Sequence, residues 1–305
     1  MMNLRRYERI VGKEVMDGIH EKVKGISEKH ILCVSSTYQG GGVAELLNSL
    51  VILFNKMGLS FGWRILHGSP NFFKIMKEFH NALHGERIKL SKMKKIYLEM
   101  NRRFSTFTHI DHDLVIVYDP QPLPLIAFHR KKQPWIFRCH IDISNPAPDV
   151  WNYLGEFIKR YDHLVISNEE YRKNFTMPQT VIYPAIDPLT TKNKPISGKT
   201  IDRYMTKFGI DNNKPIISQI SRFDKWKDPI GVMRVFELVR KRMNCQLILL
   251  GSFAFDDPEG QRIFEKVEKM AGRSRYKEDI NLILNGSDIL VNCLQRHHQL
   301  SSKNL

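Results

Sequence analysis

At 305 residues the chain has room for two domains of ordinary size. Its 42% hydrophobic and 26% charged residues are those of a soluble globular protein, and no apolar run approaches the roughly 18 residues of a membrane span. The formal charge of 47 − 32 = +15 comes from dispersed Lys and Arg without a nucleic-acid-binding motif, which leaves a phosphate-bearing substrate or a solvated Lys-rich surface as readier explanations than nucleic acid.

Residues 1–29 are predicted to form one helix, because Leu4, Tyr7, Ile10, Val11, Val15, Ile19 and Val23 make an apolar stripe at spacings of three and four. They carry no secretory h-region or small-residue cleavage site, so a cytoplasmic location is expected. Next, the apolar run 31–34 ends at Ser35-Ser36-Thr37. Gly40, Gly41 and Gly42 follow, and then Val43, Leu46, Leu47, Leu50 and Val51 recur at helical spacing. This reads as strand, glycine loop and helix. Such a loop can approach a ligand closely, and the helix N-terminus behind it suits a phosphate or a cluster of sugar hydroxyls. The spacing matches neither GxGxxG nor GxxxxGK[ST], and a flexible surface turn is the competing reading.

The pattern then alternates. Residues 61–66 are a predicted strand, 71–83 and 90–104 helices, Leu114–Tyr118 a strand of the continuous apolar type found in buried parallel sheets. A proline-broken turn follows, then a short helix to His129. Strand 134–139, helix 149–161 and strands 163–167 and 181–183 come after it. Residues 184–197, with three prolines and no periodicity, mark the boundary. Beyond it lie helix 198–208, strand 215–220, helix 229–242, strand 246–250, helix 258–271 and strand Ile280–Leu284. Alternation of this kind gives an α/β fold of two Rossmann-like domains, 1–187 and 198–305, joined by a linker at 188–197. The second has about three strands, where a complete sheet has about 5–6.

In parallel sheets, ligands bind beyond the carboxyl ends of the strands. Besides the glycine loop, three groups of residues fall there. Asp119 and Gln121 follow one strand and can hold sugar hydroxyls; the alternative is a proline-rigid turn. His140 and Asp142 follow another and could bond or orient a reacting hydroxyl; the alternative is a hydrogen-bonded strand end. Arg222 and Lys227 lie five apart in the loop opening a helix. Two cations and a helix N-terminus make a clamp for a departing diphosphate without a divalent metal, or else a solvated charged loop. Gly251 and Ser252 would suit a phosphate or nucleobase. The cluster His109, Asp111, His112 and Asp113 precedes a strand, on the wrong side of the sheet, and no metal site is expected. Cys33, Cys139, Cys245 and Cys293 form no CxxC and are expected as buried reduced thiols.

QGGGVAE at 39–45, DPQP at 119–122, RCHID at 138–142, YPAIDPL at 183–189, SRFDKWKDP at 221–229 and LLGS at 249–252 resemble the retaining glycosyltransferases of two-Rossmann, GT-B, architecture. Within these they are similar to the trehalose synthases of the glycosyltransferring kind, over residues 1 to about 296. The resemblance implies transfer of glucose, reversibly and with retention, from a nucleotide-diphosphate-glucose donor to free glucose, with no cofactor. The first domain would hold the acceptor and the second the nucleotide. By position, Gly41 and Gly42 would lie against acceptor or donor phosphates, Asp119, Gln121, His140 and Asp142 would face the sugars, and Arg222 and Lys227 would bind the diphosphate. Partners would be the small molecules nucleotide-diphosphate-glucose, glucose and trehalose, with a homodimer plausible and neither nucleic acid nor membrane involved.

The family continues through an acidic EGFG-type motif and a second glutamate that bind donor sugar and ribose. Here Arg296 is followed by HHQLSSKNL, which fits no such pattern, so a frameshift or premature stop near Arg296 and a second domain with an open apolar edge are expected. Tyr118 also stands where His is more usual before DPQ. The alternatives are a trehalose phosphorylase or sucrose-synthase-like enzyme, an inactive sugar-binding fragment, and a basic nucleic-acid-binding protein.

Overall fold

The computed structural model describes residues 3–39, 41–252 and 259–301, the last four by backbone alone. It divides into two compact units, Met1–Ile186 and Asp187–Leu305.

The first unit opens with two helices, α1 (Leu4–Val11) and α2 (Lys13–Lys24), where the sequence predicts one. Gly12, at φ 88°, is the reason: it closes α1 through a bond from its N–H to Glu8 O, 2.8 Å, in a conformation that a helix interior does not contain. The order is then β1 (His30–Ser35), α3 (Gly42–Lys56), β2 (Ser60–Ile65), α4 (Pro70–Leu83), α5 (Ser91–Phe107) and β3 (Leu114–Tyr118). A 3₁₀ turn at Leu123–Phe128 leads to β4 (Trp135–Arg138), α6 (Pro148–Ile158), β5 (His163–Ile166) and β6 (Gln179–Val181). All six strands are parallel, in the order β2-β1-β3-β4-β5-β6. One face of the sheet, with Leu32, Val34, Val115, Val117, Trp135 and Phe137, packs on Phe72 and Phe79 of α4, Tyr97 of α5 and Leu154 of α6. Ile31, Cys33, Phe61 and Tyr118 point the other way, against Leu47 of α3. Burial on both faces explains why β1 and β3 read as unbroken apolar runs.

The second unit starts from a segment that α7 (Gly198–Lys207) continues, its N-terminus capped by Ser197. After β7 (Ile216–Ile220) come α8 (Pro229–Arg240), β8 (Gln246–Gly251), α9 (Gly260–Arg273), β9 (Ile280–Leu284) and α10 (Asp288–Ser301). The strands are parallel, ordered β7-β8-β9. Ile248 and Leu250 of the central strand face Ile201 and Met205 of α7 and Leu290 and Leu294 of α10. On the opposite face, Leu247 and Leu249 meet Met233 and Phe236 of α8 and Ile263 and Val267 of α9. Among the described residues β7 has a ladder on one side only, and all five of its residues stay partly exposed while β8 is buried throughout. Helix α10, not foreseen in the sequence, holds the unit's first segment. Asn292, 1% exposed, donates to the carbonyls of Thr191 (2.8 Å) and Lys194 (2.7 Å), and Arg296 donates to that of Asn193 (2.8 Å).

Candidate active site

In the first unit the strand order turns back between β1 and β3, so the chain leaves their carboxyl ends in opposite directions and opens a crevice there. The loops after β1, β3 and β4 therefore surround one place, and they carry the glycine run, Asp119 with Gln121, and His140.

The first loop is held by its own helix. Asn48 of α3 donates to Tyr38 O, 3.1 Å, and Thr37 Oγ1 donates to Gln39 O, 2.6 Å. Gly41 is extended, φ −153°, and Gly42 is the first residue of α3. Neither has a backbone conformation that demands glycine, and a Cβ on either would meet nothing within 4 Å. Their value is the open space above a helix N-terminus. Gly40 lies outside the described residues.

The turn after β3 is fixed from below. Asn101 of α5 donates to Tyr97 O, 3.1 Å, and Gln121 O, 3.0 Å, and the Tyr97 hydroxyl donates to Pro120 O. The Oε1 of Gln121 is buried without a hydrogen-bond partner, as is Oδ1 of Asn101. Asp119 is left-handed, φ 62°, a conformation Asp tolerates better than most side chains. There its N–H donates to Arg138 O, 2.9 Å, and its Oδ1 accepts the N–H of His140, 2.7 Å. The carboxylate predicted to face sugar thus also ties the β3 turn to the β4 turn.

His140 is half-buried, with its ring stacked on Tyr118 at 5.9 Å and 12°. Burial, seconded by the Arg138 guanidinium, pushes its pKa down to about 4, so the ring is neutral at pH 7. Asp142 does not bond to His140. Its Oδ1 accepts from Ser144 N, 2.8 Å. Burial works to raise that carboxyl, but the Ser144 hydrogen bonds, then His84 and Lys173, more than offset it and hold it below the ordinary range. The two are neighbours in sequence rather than a hydrogen-bonded acid–base pair. No cysteine competes as nucleophile: all four are free and buried, and burial raises the Cys33 thiol to about 12. Among the described residues no group of three or more His, Cys, Asp or Glu could hold a metal ion.

In the second unit, Arg222 and Lys227 lie on the loop leaving the carboxyl end of β7. Asp224 Oδ1 accepts from Trp226 N, 2.8 Å, shaping the 3₁₀ turn Lys225–Lys227. Asp228, left-handed at φ 45°, caps α8 by accepting from Gly231 N, 2.9 Å. A Cβ on Gly231 would crowd that carboxylate in its present rotamer, so a larger residue there would make the Asp228 side chain shift. Gly251, predicted to suit a phosphate or nucleobase, also has a packing reason to be glycine. A Cβ there would lie 2.3 Å from Ser221 O and 2.8 Å from the Phe223 ring, so the protein's own packing demands glycine. Ser252, half-buried, follows it at the end of β8. Sequence reasoning missed Tyr97 and Asn101, and it noted Tyr118 and Arg138 without giving them a role; all four hold the first-unit site from behind.

Comparison with known proteins gives a consistent picture. A family model described as trehalose synthase, N-terminal domain, matches residues 33–173. A trehalose synthase of Thermococcus litoralis is 39% identical over 302 residues, covering 96% of this chain and 73% of that one. One from Rubrobacter xylanophilus is 39% identical over 279 residues, covering 88% and 67%. A trehalose phosphorylase of Grifola frondosa is more distant, 28% identical, with 90% of this chain and 44% of that one covered. Among solved structures, an E. coli protein described as trehalose-6-phosphate bound with UDP-2-fluoro glucose aligns with a TM-score of 0.63 at 16% identity, over 88% of this chain and 76% of its own. That likeness is one of fold.

Proposed function

This chain belongs to the trehalose synthase family, and from that premise we propose that it is a retaining glycosyltransferase that makes trehalose from a nucleotide-diphosphate-glucose and glucose, reversibly and without a cofactor. The observation that carries the reading is 39% identity sustained over 96% of the chain. The neutral His140, the Asp119 carboxylate and the Gln121 amide at one crevice support it, because they offer the mixed donors and acceptors that hydroxyl groups need.

In the proposed reaction the bond from the glucose anomeric carbon to the diphosphate oxygen breaks and a bond to the acceptor hydroxyl oxygen forms on the same face. The acceptor's proton goes to the departing diphosphate. Asp119, Gln121 and His140 hold sugar, and Arg222 and Lys227 stabilise the charge that builds on the leaving group. Asp142, bound to Ser144, takes part as a hydroxyl acceptor rather than as a partner of His140. The reading includes a cytoplasmic location and a homodimer, the latter open to sedimentation analysis. Among the described residues no helix is long and apolar enough to cross a membrane.

The test is product analysis with purified protein. Trehalose formed from nucleotide-diphosphate-glucose plus glucose supports the reading. The likeness to trehalose phosphorylase defines the second arm: glucose 1-phosphate released from trehalose by inorganic phosphate, with no reaction of the nucleotide sugar, would overturn it.

A further inference from the structure

Arg138 ends β4 inside the protein, 6% exposed. Its guanidinium reaches across the sheet. Nη1 donates to Ile166 O at the end of β5, 2.9 Å, and Nη2 donates to Ile182 O just past β6, 2.5 Å. Burial works against its charge, and Tyr118 and the Asp119 carboxylate act the other way. A third donor, Nε–H, points at Nε2 of His140, 3.3 Å away. Arginine does not give up its proton, so the nitrogen it meets must be the one with the lone pair. The imidazole proton is then on Nδ1, which has no protein partner among the described residues. Tyr118 stacked on the ring fixes its plane, and Asp119 holds the backbone N–H of His140.

We infer that Arg138 is a positioning residue that fixes His140 in the Nδ1–H tautomer, so that the imidazole meets its ligand as a hydrogen-bond donor and never as a base through Nε2. The ligand atom it fits is an acceptor oxygen. That this oxygen belongs to a sugar rests on the function proposed above; the tautomer does not. The groups around the ring agree with a fixed neutral state. Arg138 is cationic, Tyr118 is an un-ionised phenol, Asp119 is engaged with the backbone, and Asp142 is turned to Ser144.

The test is NMR of the full chain with ¹⁵N-labelled histidine, the signal assigned with His140→Gln. The wild type should show a neutral ring protonated at Nδ1 and titrating near 4. Arg138→Met should mix the tautomers and raise the midpoint toward the ordinary 6.5, and Arg138→Lys should keep the charge but relax the tautomer. Transfer kinetics of Arg138→Lys should fall at least tenfold in kcat/KM, with a changed acid limb of the pH profile. A wild-type ring protonated at Nε2, or an Arg138→Met ring unchanged in tautomer and midpoint, overturns the inference. Should the variants fail to fold, the wild-type spectrum alone decides. A protein that shows the Nδ1–H ring yet transfers no glucose would refute the proposed reaction and leave the tautomer standing.

Discussion

Replacing Gly251 by Ala tests how the second-unit loops are built. The added Cβ would sit 2.3 Å from the carbonyl oxygen of Ser221. Carbon and oxygen need at least 3.0 Å, so that carbonyl must retreat by 3.0 − 2.3 = 0.7 Å or more. It cannot swing away as a side-chain tip would, because the N–H of the same residue closes the last rung of the sheet on Leu250 O at 3.0 Å. The Phe223 ring, 2.8 Å from the new carbon, is 3% exposed and packed edge-on against Phe264 at 5.0 Å. Overpacking of about 1–3 kcal/mol, plus about 1 kcal/mol for a strained hydrogen bond, gives an expected loss of about 2–3 kcal/mol. Urea unfolding read by hydrogen exchange on peptides covering 216–223 and 246–252 reports this unit separately. Arg222 rides on the displaced loop, so binding of nucleotide-diphosphate-glucose should weaken in parallel. A midpoint shift equivalent to less than about 0.5 kcal/mol would refute the steric reasoning and show the loop to be compliant. Gly42→Ala is the counterpart. Its Cβ meets nothing, so stability should hold or rise by up to about 0.5–1 kcal/mol, whereas trehalose formation should fall if ligand rests on that backbone.

Asp119→Asn keeps an acceptor for His140 N–H and a side chain tolerant of the left-handed region, so thermal stability should change little; Asp119→Ala should lose about 1–3 kcal/mol and most transfer activity. Calorimetry with nucleotide-diphosphate-glucose should find Arg222→Ala and Lys227→Ala each weakened by about ten- to a hundredfold, from charge-assisted bonds of about 1.5–3 kcal/mol, and unchanged affinity in both would remove the clamp. Asp279 accepts from Lys214 at 2.8 Å and Arg240 at 2.9 Å; burial works to raise its pKa, but these cations outweigh it and hold the carboxyl below 3.8. Its stabilisation is therefore complete above about pH 4 and lost as pH falls through the depressed value, so the destabilisation of Asp279→Asn should shrink over that acid range in denaturant melts.

The strands were the most legible part of the chain. Ile31 to Val34, Leu114 to Tyr118 and Leu247 to Leu250 are apolar because both faces are covered, and a continuous apolar run says so directly. The loops that follow them were legible for a related reason, since parallel order puts their polar residues at one edge. Which residues hold those loops was not. Arg138 finds its acceptors 28 and 44 residues away, and Asn101 reaches 20 residues ahead to Gln121, distances that no local pattern encodes. Gly251 shows the converse: a glycine that suggests a ligand in sequence also meets a carbonyl and a ring in space, a packing reason that no local pattern encodes. Helix α10 did leave a trace, with Leu290, Val291 and Leu294 on one face and Asp288 in its first turn. The break at Gly12 depends on a positive φ, which glycine permits but does not announce.

The grip of α10 on residues 191–194 also orders events in time. Its bonds span 98 to 103 residues, and closing a loop of that size costs about 4 kcal/mol of chain entropy. At roughly 5–20 residues per second, the ribosome needs about 5–20 s to supply Asn292 after the carbonyls it will bind. For that interval β7, β8 and the helices α8 and α9 can assemble from near neighbours, while Ile201 and Met205 of α7 still lack the cover of Leu290 and Leu294. The second unit is thus built from its far face inward, and the nascent chain is at its stickiest just before α10 emerges.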